Sequence, residues 1–114
     1  MRFLLLIHGD SKAEAALSPD ERMAIVQEHQ SYAAMLRERG VHAGGEALEA
    51  PETAVVVRPG STPIVTDGPF AETKEAIGGF YLVDCASREE AIELAGKVPV
   101  SPGVAVEVLP CVEF

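Results

Sequence analysis

Two kinds of hydrophobic pattern alternate along the chain. Phe3-Leu4-Leu5-Leu6-Ile7 is a continuous apolar run closed by Gly9-Asp10, as expected of a strand with apolar contacts on both faces. The period then changes. Ser18-Pro19-Asp20-Glu21 carries a helix start, with Ser18 as N-cap, Pro19 at the first helical position and Glu21 three residues on to close a capping box. At 100° per residue, Ile25, His29, Tyr32 and Leu36 fall on one stripe, flanked by Val26, Ala33 and Met35, and Gly40 ends the helix. Residues 41–48 and 54–58 read as extended, interrupted by Gly44-Gly45, Pro51 and Pro59-Gly60-Ser61, and residues 64–66 as a short strand. Residues 78–84 form the second strongly apolar strand. Ser87 with Glu90 three residues later predicts a second helix to about Lys97, closed by Pro99 and Pro102. In the last strand Val104, Val106 and Val108 share a face.

Strand, helix, two or three strands, helix, strand is the ferredoxin-like βαββαβ arrangement, an α+β fold with an antiparallel sheet and two helices on one of its faces. A single domain over residues 1–114 is expected, since 47% hydrophobic residues suffice for a core at this length. Two helices cover only one face of such a sheet, yet Phe3–Ile7 and Phe80-Tyr81-Leu82-Val83 present apolar side chains to both. Each large apolar side chain left in water forfeits about 1.5–3 kcal/mol, against a total stability of about 5–15 kcal/mol. A second copy, sheet facing sheet, is the simplest cover, and a homodimer is predicted.

Charge narrows the partners. Acidic residues outnumber basic ones 18 to 9, for a net charge of −9, and no basic patch is visible, which argues against nucleic acid. The apolar run at the start is too short for a signal sequence or a membrane span, so no membrane association and a cytoplasmic location are expected. The two cysteines, Cys85 and Cys111, form no CxxC pair and read as reduced buried thiols. His8, His29 and His42 show no HxxxH or HExxH spacing, and neither a metal nor a cofactor is predicted.

His29 is the residue with chemistry inside an apolar stripe. It reads either as a core histidine satisfied by one hydrogen bond or as an acid/base whose pKa small shifts move across neutrality. Asp67 opens an Asp-Gly-Pro reversal, and a turn role is the first reading. On the uncovered sheet face, Glu107 lies opposite the valine row of its strand and His8 follows Leu4 and Leu6 in phase. Both are candidate ligand contacts or plain strand-end positions.

The stretch TDGPFAETKEAIGGFYLVD resembles the signature of the DGPF branch of the YCII-related proteins, and the likeness runs through MRFLLLIHGD, EHQSYAAMLRERG, AGGEAL and VAVEVLP. The resemblance implies a ferredoxin-like fold that dimerises as an α+β barrel, and a His–Asp pair matched here by His29 and Asp67. His8 stands where the family carries an aromatic residue, usually tyrosine. Taken with the residues, this gives a working expectation: Asp67 accepts a hydrogen bond from one ring nitrogen of His29 while the other faces a small organic substrate. Tyr32 would bond the ligand and Lys74 would hold an anionic group. Without a nucleophile elbow or an activated cysteine, proton transfer of the isomerase or lyase type fits better than acyl transfer. The alternative is a non-catalytic ligand-binding or regulatory module, since the resemblance also permits association with an extracytoplasmic-function sigma factor. A third reading makes His29 and Asp67 a buried polar clip between helix and loop.

Overall fold

A computed structural model describes residues 1–70 and 75–114. Strand β1 (Arg2–Asp10) leads through a short helix α1 (Ser11–Ala15) into the long helix α2 (Pro19–Glu38). Then come β2 (His42–Ala47), a hairpin of β3 (Val55–Arg58) and β4 (Ile64–Asp67), β5 (Glu75–Asp84), α3 (Arg88–Ala95) and β6 (Ala105–Pro110). The main sheet runs β2-β5-β1-β6, and β3 and β4 pair only as a separate two-stranded unit. Every neighbouring pair is antiparallel. With the hairpin set aside, the order and the central position of β1 and β5 are those of the ferredoxin-like fold.

The start of α2 follows the sequence logic. Ser18 Oγ accepts the Glu21 N–H at 3.1 Å, and a Glu21 carboxylate oxygen accepts the Ser18 N–H at 3.0 Å. At its far end Gly40 adopts φ +72°, its N–H bonding Arg37 O and the Val41 N–H bonding Leu36 O, both at 3.0 Å. This is a Schellman closure, which glycine makes without a Cβ penalty. In α3 only half of the expected box forms. Ser87 Oγ accepts the Glu90 N–H, but the Glu90 carboxylate takes the Ala86 N–H at 2.9 Å, and the helix stops at Ala95 rather than near Lys97.

Two further differences have local causes. Asp10, read as a strand terminator, is the N-cap of α1, its Oδ1 accepting from the Lys12 and Ala13 N–H groups. Five residues are too few to show a helical period. β5 begins at Glu75, ahead of Gly78, because the register shifts as Ile7 pairs with Gly79 and His8 with Ile77. Gly78 is the extra residue of a β-bulge, so a glycine that looked like a boundary lies inside the strand.

Period-two alternation sorts the sheet residues into faces. Phe3, Leu5, Ile7 and Val83 are buried, packed with Tyr32 and Leu36 of α2 and with Ala91 and Leu94 of α3. Val104, Val106 and Val108 pack against this core as one row, as expected. Leu4, Leu6, Phe80 and Leu82 point the other way and are only half buried. Cys85 and Cys111 are free thiols whose backbone N–H groups bond Met1 O and Arg2 O. Among the described residues no helix is long and apolar enough to cross a membrane.

Candidate functional site

The stripe of α2 does not meet the same surface along its whole length. Tyr32 and Leu36, in the second half, are buried against the core. Ile25 and His29, earlier on the same stripe, stand over a part of the sheet where β2 and β5 carry glycines. A Cβ on Gly45 would meet Phe80 O at 2.8 Å, and one on Gly79 would meet Glu46 O at 2.8 Å. No side chain therefore rises from the floor at those two positions to reach the helix. The result is a cavity of about 940 Å³ whose walls include Ile7, Glu14, Ile25, His29 and Tyr81.

His29 is half buried in this wall. Its Nδ1 lies 2.7 Å from the Tyr81 hydroxyl, and the two rings are near parallel at 14° with centroids 5.9 Å apart. Tyr32 meets Tyr81 edge-on at 4.9 Å, which holds the tyrosine ring in place. Burial pushes the His29 pKa below its ordinary value, partly opposed by Glu28. Burial likewise raises that of Tyr81, against the pull of Arg37. Two neutral rings thus share one hydrogen bond at neutral pH. Among the described residues no buried side-chain nitrogen lacks a partner, and the Nε2 of His29 has none, so that nitrogen is accessible. Either group can donate in this bond; where Nδ1–H donates to the Tyr81 oxygen, Nε2 is an unprotonated acceptor, the tautomer a general base requires.

Several residues expected at one site occupy different places. Among the described residues no hydrogen bond joins His29 to Asp67, and Tyr81 takes the orienting position expected of the aspartate. The reason lies in the topology: Tyr81 is fixed under α2 by the register of β5, whereas Asp67 ends β4 in the hairpin outside the main sheet. Asp67 is the last residue of β4, paired with Val55, and the chain bends at the glycine that follows. Gly68 adopts φ +94° and sends its N–H to Ala54 O at 2.7 Å. Tyr32, expected to touch a ligand, is 5% exposed, and its hydroxyl donates to Leu94 O at 2.7 Å, tying α2 to α3.

His8 and Glu107 lie on the opposite face of the sheet from Ile7 and Tyr81, and are bonded to each other at 2.9 Å. They share no wall with His29. Lys74 lies outside the described residues. Among those residues no three His, Cys, Asp or Glu side chains gather as a metal site.

Tyr81 and Glu14 are the wall residues that sequence reasoning passed over. The signal for Tyr81 was present, since alternation from Val83 puts it on the core face. Glu14 gave none, because α1 itself showed no pattern.

Residues 1–114 match the YCII-related domain. An uncharacterized protein of Rhizobium meliloti (strain 1021) is 38% identical to this chain over 98 residues, which is 83% of this chain and 77% of that protein. The family match spans the same elements that build the sheet, the long helix and the cavity wall, and the protein belongs to the YCII-related family.

Proposed function

We propose that the protein is an acid/base enzyme acting on a small organic molecule, of the isomerase or lyase type, with His29 as the group that moves the proton. One observation carries this reading: an imidazole anchored through Nδ1 to Tyr81 at 2.7 Å, held neutral by burial, with Nε2 accessible in the wall of a 940 Å³ cavity. With Nδ1–H donating to the Tyr81 oxygen the free lone pair falls on Nε2, and a desolvated ring keeps the base unprotonated, which are the two requirements of proton abstraction near neutral pH. Tyr81 supplies the first. Asp67 stays outside this pairing: the His29 shift comes from burial and Glu28, and Asp67 is not among the residues of the cavity wall.

The assembly belongs to the same proposal. A second copy seated on the face carrying Leu4, Leu6, Phe80 and Leu82 would enclose the His8–Glu107 pair in the interface. The competing reading, a binding module without chemistry, draws support from the hairpin, where Val55, Val57 and Val65 share one exposed face.

The two readings separate in heavy water. Proton abstraction exchanges the C–H next to a carbonyl for C–D, which NMR follows directly in a panel of small carbonyl compounds. His29-dependent exchange is expected with at least one of them. Exchange as fast in His29→Gln as in the native protein would remove His29 from the reaction, and a panel left wholly unexchanged would favour the binding module.

A further inference from the structure

We propose that Glu14 is the second proton-transfer group of the cavity, donating to the carbonyl oxygen of a neutral carbonyl substrate while His29 takes the proton from the adjacent carbon. The inference rests on the acid/base reading of His29 and adds to it the group that receives the developing charge. The position of Glu14 is built rather than incidental. α1, the five-residue helix that carries it, is held at its start by the Asp10 side chain, 3.1 Å from the N–H groups of Lys12 and Ala13. At its end the Arg22 guanidinium of α2 reaches Ala15 O at 3.5 Å and Leu17 O at 3.4 Å.

Between these two ties the Glu14 carboxylate lies over the backbone of Gly9, where any side chain would take its place. A Cβ on Gly9 would stand 2.5 Å from Glu14 Oε1 and 3.2 Å from its carboxyl carbon. The carboxylate is half buried, lines the same cavity as His29, and among the described residues has neither a hydrogen bond nor an ion pair. A half-buried acid held without a partner is costly to keep ionised. Burial, and then the neighbouring charge of Asp10, raise its pKa above the ordinary glutamate value. The environments of Glu14 and His29 thus push an acid up and a base down, the pattern of a matched donor and acceptor.

The step balances without a cofactor. Nε2 of His29 takes the proton from the carbon beside the carbonyl, and the electron pair of that C–H bond becomes the carbon–carbon double bond. The carbonyl π pair takes the proton of the Glu14 carboxyl. An enol, a carboxylate and an imidazolium result, and the reverse transfers restore both groups. The apolar walls at Ile7, Ile25 and Val26 suit a small uncharged carbonyl compound.

The test follows hydrogen–deuterium exchange of cyclohexanone and 3-hydroxybutanone by NMR across pH, in the native protein, Glu14→Gln and His29→Gln. Glu14→Gln keeps the size of the side chain but has no carboxyl proton to give. Exchange is expected to fall on the order of 10²-fold in that variant, with the alkaline limb of the pH profile lost while the acidic limb, set by His29, remains. A merely structural role would leave both limbs in place. Unchanged exchange in Glu14→Gln alongside loss in His29→Gln overturns the role of Glu14 and leaves that of His29 standing. Exchange absent from the native protein with both probes overturns the donor and the base together. A direct ¹³C titration of the Glu14 carboxyl gives a second reading that does not depend on turnover. Its midpoint is expected above that of an exposed glutamate and should fall when Gly9→Ala displaces the side chain into water; a midpoint at the ordinary value also overturns the proposal.

Discussion

Burial of the His29 ring has a consequence for stability as well as for chemistry. Its folded-state pKa lies below that of the unfolded chain, about 6.5. Above that pH the imidazole is neutral in both states and the folded protein carries no penalty. As the pH falls, the unfolded chain takes the proton first, so stability is lost as the pH drops through the lowered folded value. Urea unfolding between pH 8 and pH 5 should show this decline, and His29→Gln should flatten it; an equal slope in the two proteins would mean that the ring is not held neutral by the fold. Tyr32 provides a contrast on the same helix. Tyr32→Phe removes a hydroxyl bonded to Leu94 O and is expected to cost about 0.5–1.5 kcal/mol in the same assay. It should leave carbonyl exchange intact, because that hydroxyl faces α3 and not the cavity.

At the scale of elements, the cavity is a consequence of where glycine falls in two strands. α2 is one continuous helix, yet its second half rests on side chains and its first half stands over the floor at Gly45 and Gly79. Gly45→Ala tests this. The added methyl would meet Phe80 O at 2.8 Å and Tyr81 Cδ1 at 2.9 Å, and a backbone oxygen does not yield as a flexible side-chain tip does. Either β2 moves off β5 or the Tyr81 ring turns. A loss of about 1–3 kcal/mol is expected from chemical denaturation, together with a displaced His29 titration in NMR as its Nδ1 partner moves. An unaltered His29 resonance would show that the tyrosine is positioned independently of β2. The ends of α2 could be read in the sequence because Ser18, Pro19, Glu21 and Gly40 act on their own neighbours. The hairpin could be read only as extended segments, since nothing local says whether β3 and β4 join the main sheet.

The whole molecule is a slab of about 44 × 44 × 18 Å, with α2 and α3 on one side of the four-stranded sheet. Its radius of gyration, 15.7 Å, exceeds the roughly 13 Å of a compact chain of this length, in keeping with a hairpin that stands apart from the main sheet. The uncovered face is apolar at its centre and carries one hydrogen-bonded His–Glu pair toward its edge. That pair, 25% and 53% exposed at His8 and Glu107, contributes little while water reaches it. In sedimentation equilibrium the protein is expected at twice the chain mass of 12.1 kDa. Leu82→Asp, which sets a charge among Leu4, Leu6 and Phe80, is expected to return it to one copy. A native protein sedimenting as one copy would mean that this face remains in water.

The sequence by itself determined what depends on near neighbours and on period. It contained the order of the strands and of α2 and α3, the caps of α2, the two faces of β1 and β6, and the stripe from Ile25 to Leu36, but not α1. It also located the break in extended structure at Gly68 and the family to which the chain belongs. The tertiary structure decided which groups meet. Tyr81 reaches His29 because β5 lies beside β1 in one register, and Asp67 does not because its hairpin leaves the sheet. His8 and Glu107 fall on the far side of the same sheet for an equally long-range reason. Local propensity acts over a few residues, whereas these meetings span from 52 positions for His29 and Tyr81 to 99 for His8 and Glu107, and only the packed fold sets distances over such separations.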